Sequence, residues 1–548
     1  MENFGNIIFL LAVLISLSAL LEKSSVRIPQ PILLVAAGLL IGFIPSLPDL
    51  ALDPQIVFLI FLPPLLFDAA SQTSWNEFKA ALRPITALAI SLVFCTTLVV
   101  AATVHWLIPS FGWAVAFVLG SIISPTDAVA TTSIIRGMNL NKRVITIIEG
   151  ESLANDASAL IAYRYALAAV LTGSFAFWDA GLQFLLVACG GILAGIVIGY
   201  ILVSVHKKIN DHSLVETGLS LLTPYIAYLA AEKMHVSGIL SVVTAGLVIS
   251  WRSPEVFSYQ TRMHTRALWD TIIFLLNGFV FILIGLQLPG ILRQVRAFTT
   301  GELVFYGLII SLMTILVRII WVFAGAYWTT VFRRRGNHSD AEAVSWKHVV
   351  VIAWTGTRGV LSLAAAMALP FVLNDGSPFP QRHLILFLSF VVIFVTLVIQ
   401  GITLPLLIRV LRLKPDVSEN REKKELQLHI ANSVLHFIDT DMQTKIDDDI
   451  REQLKQAFDT RAARLSREIK LHRRKEAAED TSPVTPLLTP LLSARQEILN
   501  FERELLIRLH KNAAYGDTVI REVERELDIE DMRLNQHMPG TSAEKTTG

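Results

Sequence analysis

Apolar runs of about 20 residues recur from residue 5 to residue 411, separated by short polar stretches. A helix needs about 20 apolar residues to cross a bilayer core, so each run is read as a membrane helix. Thirteen runs are found, at about 5–22, 28–46, 54–71, 85–109, 112–136, 144–171, 180–205, 214–232, 235–251, 267–292, 302–331, 347–373 and 383–411. Several exceed a simple crossing and are expected to tilt or break. Past residue 412 the pattern changes. Charged residues dominate, and Leu426, Ile430, Val434 and Phe437, then Ile450, Leu454 and Phe458, recur at helical spacing. The expected fold is an all-α polytopic membrane domain over 1–412, followed by a cytosolic helical tail over 413–548. The tail reads as a packed regulatory or dimerising region without chemistry of its own. TSPVTPLLTPLL interrupts it, and MPGTSAEKTTG at its end is expected to be disordered.

The loops give an orientation. Basic residues gather on the cytoplasmic side of membrane proteins. Lys23 and Arg27, Lys79 and Arg83, Arg136 with Lys142 and Arg143, Lys207 and Lys208, Arg252 with Arg262 and Arg266, Arg333 to Arg335, and Arg412 with Lys414 follow the odd-numbered runs. The alternate loops SLPDLALDP, PSFG and TGSFAFWD are acidic or neutral, with Arg293 and Arg296 as the exception. The N-terminus is expected outside and the C-terminus in the cytosol of a cell bounded by this cytoplasmic membrane.

Composition agrees. Hydrophobic residues make up 53% of the 548 and charged residues only 17%, with a mean hydropathy of +0.55. The net charge of +1 suggests no nucleic-acid partner. Cys95 and Cys189 lie in apolar runs and imply no disulfide framework or metal-ligand spacing. MENFGNIIFLL lacks a basic lead, and Glu22-Lys23 close the run, so it is read as a first membrane helix and not as a cleaved signal.

Polar residues inside these runs are the candidate chemistry. The fifth run places Ser124, Pro125, Thr126 and Asp127 at mid-membrane. An ionised Asp there costs about 2.5–3.5 kcal/mol, and Pro removes a backbone donor. Unwound backbone at this depth is tolerated where it lines a cavity. Pro125 is therefore expected to break the helix and free carbonyls such as that of Thr126, with Asp127 facing half-helix ends and a cation. The sixth run puts Glu151, Ser152, Asn155 and Asp156 on one face, within about 140° at ~100° per residue. Such oxygens can replace the hydration shell of a small hard cation. Asn and Ser alone would suit a helix–helix seam; two added carboxylates do not. The twelfth run is interrupted by Gly356, Thr357, Arg358 and Gly359. Arg358 needs a counter-charge, and Glu151 is the candidate; a backbone carbonyl is the alternative. The fifth and twelfth runs are seven apart and cross the membrane in opposite directions, which points to inverted repeats with two broken, crossing helices. In the third run Pro63-Pro64 is expected to bend the helix, and Asp68 is either a cation guide or a solvated helix end. Asp270, Asn277 and Arg164 are expected to make structural polar contacts.

The set FLPPLLFDA, SPTDAVA, EGESLANDASAL, NGFVFILIGLQLP and GTRGVLSLAAA, in this order, resembles the sodium/proton exchangers. More narrowly it looks like a bacterial member of the monovalent cation/proton antiporters. The resemblance covers about residues 5–411. It implies a thirteen-helix homodimer, with a dimerisation domain from helices 1–3 and 7–10 and a mobile core from helices 4–6 and 11–13. It implies that Asp156 binds the ion and carries the proton, that Thr126, Asp127 and Ser152 complete the Na+ site, and that Asn155 marks the electroneutral Asn-Asp branch. It also implies that Glu151 and Arg358 form a core ion pair. An additional acidic ligand from helix 3 would fall to Asp68.

The expected mechanism is obligatory exchange, one Na+ for one H+, with Li+ or K+ as other possible cargo, in the service of pH and cation homeostasis. Na+ and H+ compete for Asp156, and only the neutralised site crosses the barrier, because a bare charge in low dielectric is expensive. No cofactor is required. The expected partners are the bilayer, a second copy and an unidentified tail ligand. A gated cation channel and a cation-sensing membrane protein are the rival readings. An enzyme is excluded on the residues: GESLA departs from the G-x-S-x-G elbow, and no His accompanies it.

Overall fold

The structure, a computed structural model, describes residues 2–23, 30–43, 54–135, 138, 140–173, 177–209, 212–295, 298–335, 345–373, 375–413, 417–440 and 448–477. It divides into two units, Met1–Asp416 and Val417–Gly548. In the first unit the helices are α1 (Glu2–Lys23), α2 (Gln30–Gly42), α3 (Pro54–Gln72), α4 (Trp75–Ala80), α5 (Leu82–Thr86), α6 (Val93–Leu107), α7 (Trp113–Ile123), α8 (Ala128–Ile135) and α9 (Lys142–Thr172). They continue as α10 (Phe177–Ile209), α11 (Ser213–Lys233), α12 (Gly238–Val256), α13 (Tyr259–Gln294), α14 (Thr300–Arg335), α15 (Trp346–Trp354), α16 (Val360–Met367) and α17 (Arg382–Val410).

Helix lies over each of the thirteen apolar runs. The fifth and twelfth runs are helix pairs, α7–α8 and α15–α16, with unwound backbone between the halves. The fourth run is α5 and α6 joined by a π-helical turn at Ala87–Leu92, which apolar periodicity does not signal. α3 stays helical through Pro63 and Pro64. Among the described residues six helices are long and apolar enough to cross a membrane: Leu82–Leu107, Leu185–Ile209, Ser213–Lys233, Gln260–Leu292, Thr300–Tyr327 and Arg382–Val410. α9 has 31 residues but is not among them. Its acidic and amide residues lower its apolarity, and it is the helix on which the candidate site is built. Asn141 caps its start by accepting the Arg143 N–H at 2.8 Å, and Gly173, at φ 70°, closes its end.

The helices of the first unit pack against one another throughout. α2 lies along α13, and α10, α11 and α3 pack around α12. α6, α7 and α9 pack together, as do α14, α15 and α17. α7 packs on α16, so halves from opposite ends of their parent runs meet and the two broken helices cross in opposite senses. Phe61 of α3 stacks on Phe279 of α13, with ring centroids 5.8 Å apart. Leu10, Leu14, Leu363, Phe390 and Ile393 belong to the same buried apolar cluster, which joins α1, α3, α13, α16 and α17.

In the second unit α18 (Val417–Thr440) and α19 (Asp448–Ala477) form an antiparallel pair. Lys424 bonds Glu468 at 3.0 Å and Lys455 bonds Asp439 at 3.0 Å. Ala431, Ile438, Ala462, Leu465 and Ile469 are buried, whereas Leu426, Ile430, Phe437 and Leu454 from the expected apolar stripe are exposed. TSPVTPLLTPLL and the C-terminal MPGTSAEKTTG lie outside the described residues, as do Arg27, Arg136, Arg296 and Lys414 of the loop-charge pattern.

Candidate functional site

Pro125 has no N–H for the carbonyl of Ser121, and the Ser124 hydroxyl donates to that carbonyl at 3.0 Å instead. The chain is unwound from Ser124 to Asp127 before α8 begins. In the twelfth run the break covers Thr355 to Gly359. The two breaks bond to each other. The Asp127 N–H donates to the Thr357 carbonyl at 2.8 Å, the Thr357 hydroxyl donates to the Asp127 carbonyl at 3.0 Å, and the Thr131 and Thr357 hydroxyls lie 3.0 Å apart. Each break thus supplies partners that the other helix has lost, which is what makes exposed backbone groups tolerable at membrane depth.

α9 clamps the first break. Ser152 donates its hydroxyl to the Thr126 carbonyl at 3.0 Å and accepts the Ala128 N–H at 3.1 Å. Asn155 Nδ2 donates to the Thr126 hydroxyl at 2.7 Å, and that hydroxyl donates to Glu151 Oε1 at 3.0 Å. Three of the four polar residues read from the helical wheel therefore converge on Thr126. The fourth, Asp156, faces a cavity.

The expected pairing of Glu151 with Arg358 is corrected. Glu151 pairs with Arg318 of α14, which meets it with both terminal nitrogens, Nη2 lying 2.9 Å from Oε2. Both side chains are 1% exposed. Arg318 Nη2 also donates to the Ile352 carbonyl at 3.0 Å, in the last turn of half-helix α15. Gly356 makes room for it, since a Cβ there would strike Arg318 Cδ. Arg318 therefore reaches Glu151 first. Arg358 is also 1% exposed and feels both Arg318 and Glu151 electrostatically. It makes no ion pair among the described residues, and its Nε and Nη1 are buried without hydrogen-bond partners. Its backbone N–H donates to Thr396 of α17 at 3.2 Å.

A cavity of about 760 Å³ reaches Asp127 and Asp156 from the end of the molecule where α3 stops and α13 starts. Thr126, Ser152, Gly359 and Ser362 line its inner part. Asp68, Glu149, Arg266 and Asp270 line it nearer the exposed end, with Asn277 on the α13 wall. Asn155 is not on the wall, because its amide is turned to Thr126. Asp68 accepts from Gln72 Nε2 at 2.9 Å on both oxygens. Gly359 abuts the Asp127 carboxylate so closely that a Cβ would overlap it. This sets Asp127 against the N-terminus of α16, where a half-helix favours negative charge. Asp127 and Asp156 are close enough to repel each other. Two carboxylates facing one oxygen-lined cavity suit a small cation or a proton shared between them.

The transmembrane sodium/hydrogen exchanger profile matches residues 9–410, a span that contains every residue of this site. The chain belongs to the sodium/hydrogen exchanger family. This exchanger is 35% identical over 471 residues to a sodium, potassium, lithium and rubidium/H+ antiporter of Bacillus pumilus, covering 84% of the present chain and 66% of that one. It is 32% identical to an uncharacterized Na+/H+ exchanger of Mycobacterium tuberculosis over 96% of the present chain and 97% of the other. In fold it matches the sodium proton antiporter MjNhaP1 of Methanocaldococcus jannaschii with a TM-score of 0.57, at 20% identity, over 75% of the present chain and 99% of that one. It is thus a multi-pass membrane transport protein with the antiporter fold.

Reading the exchanger's sequence missed Arg318. Its signal was present: one Arg among the apolar residues of TILVRIIWVF, which at membrane depth demands a partner. Asn277 and Asp270, read as structural contacts, lie on the cavity wall. Arg164 does make a structural contact, an ion pair with Glu232 of α11 at 3.0 Å.

Proposed function

We propose that this exchanger is a secondary antiporter that moves Na+ in one direction and H+ in the other, one for one, with Li+ and K+ as competing cargo. One observation carries the reading. Around the crossing point lie three carboxylates, the buried Glu151 with Asp127 and Asp156 half-buried on the cavity wall, against two buried guanidiniums, Arg318 and Arg358. That set is one positive charge short of neutral. A single Na+ or a single H+ restores neutrality, and neutrality is what allows the site to pass a hydrophobic barrier. Either cargo leaves the same total charge, so a full cycle moves none.

Asp156 is the carboxylate over which Na+ and H+ compete. Asp127, the Thr126 carbonyl and the Ser152 hydroxyl supply further oxygens for Na+, and Asn155 keeps the Thr126 segment in place. Asp68 attracts cations at the mouth. α5–α9 and α14–α17 move as a core against a dimer scaffold of α1–α3 and α10–α13, in the cytoplasmic membrane with the N-terminus outside. In that orientation the cavity opens to the cytosol, and the apolar cluster around Phe61 and Phe279 closes the other side. The exchange named for the Bacillus pumilus relative supports this assignment, and pH and cation homeostasis is the role that it would serve.

The test is exchange in proteoliposomes carrying an internal pH dye, pulsed with Na+, Li+ and K+. The reading expects cation-driven proton movement without net current. Current far above a transport cycle would replace it with a channel, and cation binding without proton movement would replace it with a sensor.

A further inference from the structure

The end of α16 remote from Asp127 is held by a side chain with no place in the exchange scheme. α16 has eight residues, and Pro370 soon follows it with no N–H to offer. The Ala364 and Ala366 carbonyls are satisfied by the Ala368 and Leu369 N–H groups. Beyond them, Arg382, the first residue of α17, donates from Nε to the Leu369 carbonyl at 3.1 Å and from Nη2 to the Met367 carbonyl at 3.4 Å. Its guanidinium lies 4.1 Å from the ring centre of Phe371, which restricts it to that position. Arg382 is also within electrostatic reach of Tyr163. Tyr163 is buried on α9, two turns beyond Asp156.

The two ends of α16 are therefore both fixed. Gly359 bears directly on the Asp127 carboxylate, and Arg382 grips the other end about 12 Å away, at 1.5 Å per residue. A segment this short moves as one rod, so its C-terminal anchor sets the position of its N-terminus. We propose that Arg382 is a positioning residue for the cation site: by capping α16 it keeps the half-helix N-terminus seated against Asp127, and so sets the affinity for the cation. This rests on the exchange reading of the Asp127–Asp156 cavity.

The experiment compares wild type, Arg382→Gln, Arg382→Lys and Phe371→Ala in proteoliposomes. It measures KM and turnover for Na+ alongside thermal unfolding of the purified proteins. A loosened rod misplaces Asp127 in every state that binds Na+. KM should then rise about fivefold or more in Arg382→Gln, with turnover changed less than about twofold. Lys keeps donors for the two carbonyls and should recover part of the loss. Phe371→Ala should shift KM in the same direction by a smaller factor, and it serves as the test if Arg382→Gln does not fold. An unchanged KM in Arg382→Gln or, failing that protein, in Phe371→Ala overturns the proposal. So does a fall in turnover and unfolding temperature with KM unmoved, because a purely structural cap gives that pattern. A wild type that exchanges normally beside such results leaves the exchange reading standing. A wild type that moves no protons with Na+, Li+ or K+ removes both.

Discussion

The Asp127 N–H donates to the Thr357 carbonyl at 2.8 Å, and the Thr357 hydroxyl returns a bond to the Asp127 carbonyl at 3.0 Å. Two residues 230 positions apart in sequence thus repair each other's broken helices. The repair explains how Pro125 and the Gly356–Gly359 break coexist with an apolar surrounding. It also fixes Asp127 at the crossing, with its carboxylate against Gly359.

That contact gives a first prediction. In Gly359→Ala the new methyl group overlaps the Asp127 carboxylate, and either Asp127 or α16 has to shift. A misplaced Asp127 weakens the cation site in every state that binds Na+, so the loss appears in KM. At Na+ well below KM, exchange by Gly359→Ala should fall by about tenfold or more in proteoliposomes, while size-exclusion chromatography reports an intact particle. Wild-type exchange in this variant would mean that Asp127 does not need its observed position.

A second prediction concerns Glu151 and Arg318. Removing one member of a buried pair strands the other charge, at about 3–5 kcal/mol. Glu151→Gln and Arg318→Met should each lower the unfolding temperature strongly, and the double variant should lie above the sum of the two losses. If Glu151 showed such coupling with Arg358 and none with Arg318 in the same double-mutant cycle, the pairing described here would be wrong.

The charge count predicts indifference to voltage. One elementary charge crossing the membrane potential is worth about 2.3 kcal/mol per 100 mV. A one-for-one cycle carries none, so clamping the proteoliposomes at +100 or −100 mV should change the Na+-driven rate by less than about twofold. A steep voltage dependence would show that the enclosed charge is not balanced by one cation.

Much of this arrangement was legible in the sequence, and the reasons differ from residue to residue. The fifth and twelfth breaks were visible because Pro125 and Gly356–Gly359 interrupt long apolar runs, where backbone defects have no other explanation. The polar face of α9 followed from helical periodicity. The partner of Glu151 did not follow, since periodicity orders residues around one helix but says nothing of which other helix arrives beside it. Arg318 and Arg358 are equally anomalous in sequence. Gly356, by leaving room for the Arg318 stem, decides between them. The clamp by Ser152 and Asn155 was hidden for a similar reason: hydroxyl and amide groups serve a cation or a backbone carbonyl equally well, and only distances tell which. In the tail, helical spacing picked out apolar residues without telling which of them the α18–α19 pair buries, because that depends on how one helix lies on the other.

Competition for one carboxylate gives a pH dependence with a definite sign. Protons occupy the site that Na+ needs, so lowering the pH should raise the apparent KM for Na+, by up to about tenfold per pH unit, while the maximal rate at saturating Na+ stays level. Measuring initial rates over a matrix of Na+ and pH checks this. A maximal rate that collapses at low pH with KM unmoved would place the titrating group outside the cation site.

The central claim is that Na+ and H+ share Asp156. Its most direct test is the pH-dye assay on Asp156→Asn beside wild type, at matched protein density and clamped potential. The account predicts that wild type releases or takes up protons on a Na+ pulse and that Asp156→Asn, purified as an intact particle, does neither. Proton-coupled Na+ exchange at the wild-type rate in Asp156→Asn would contradict it.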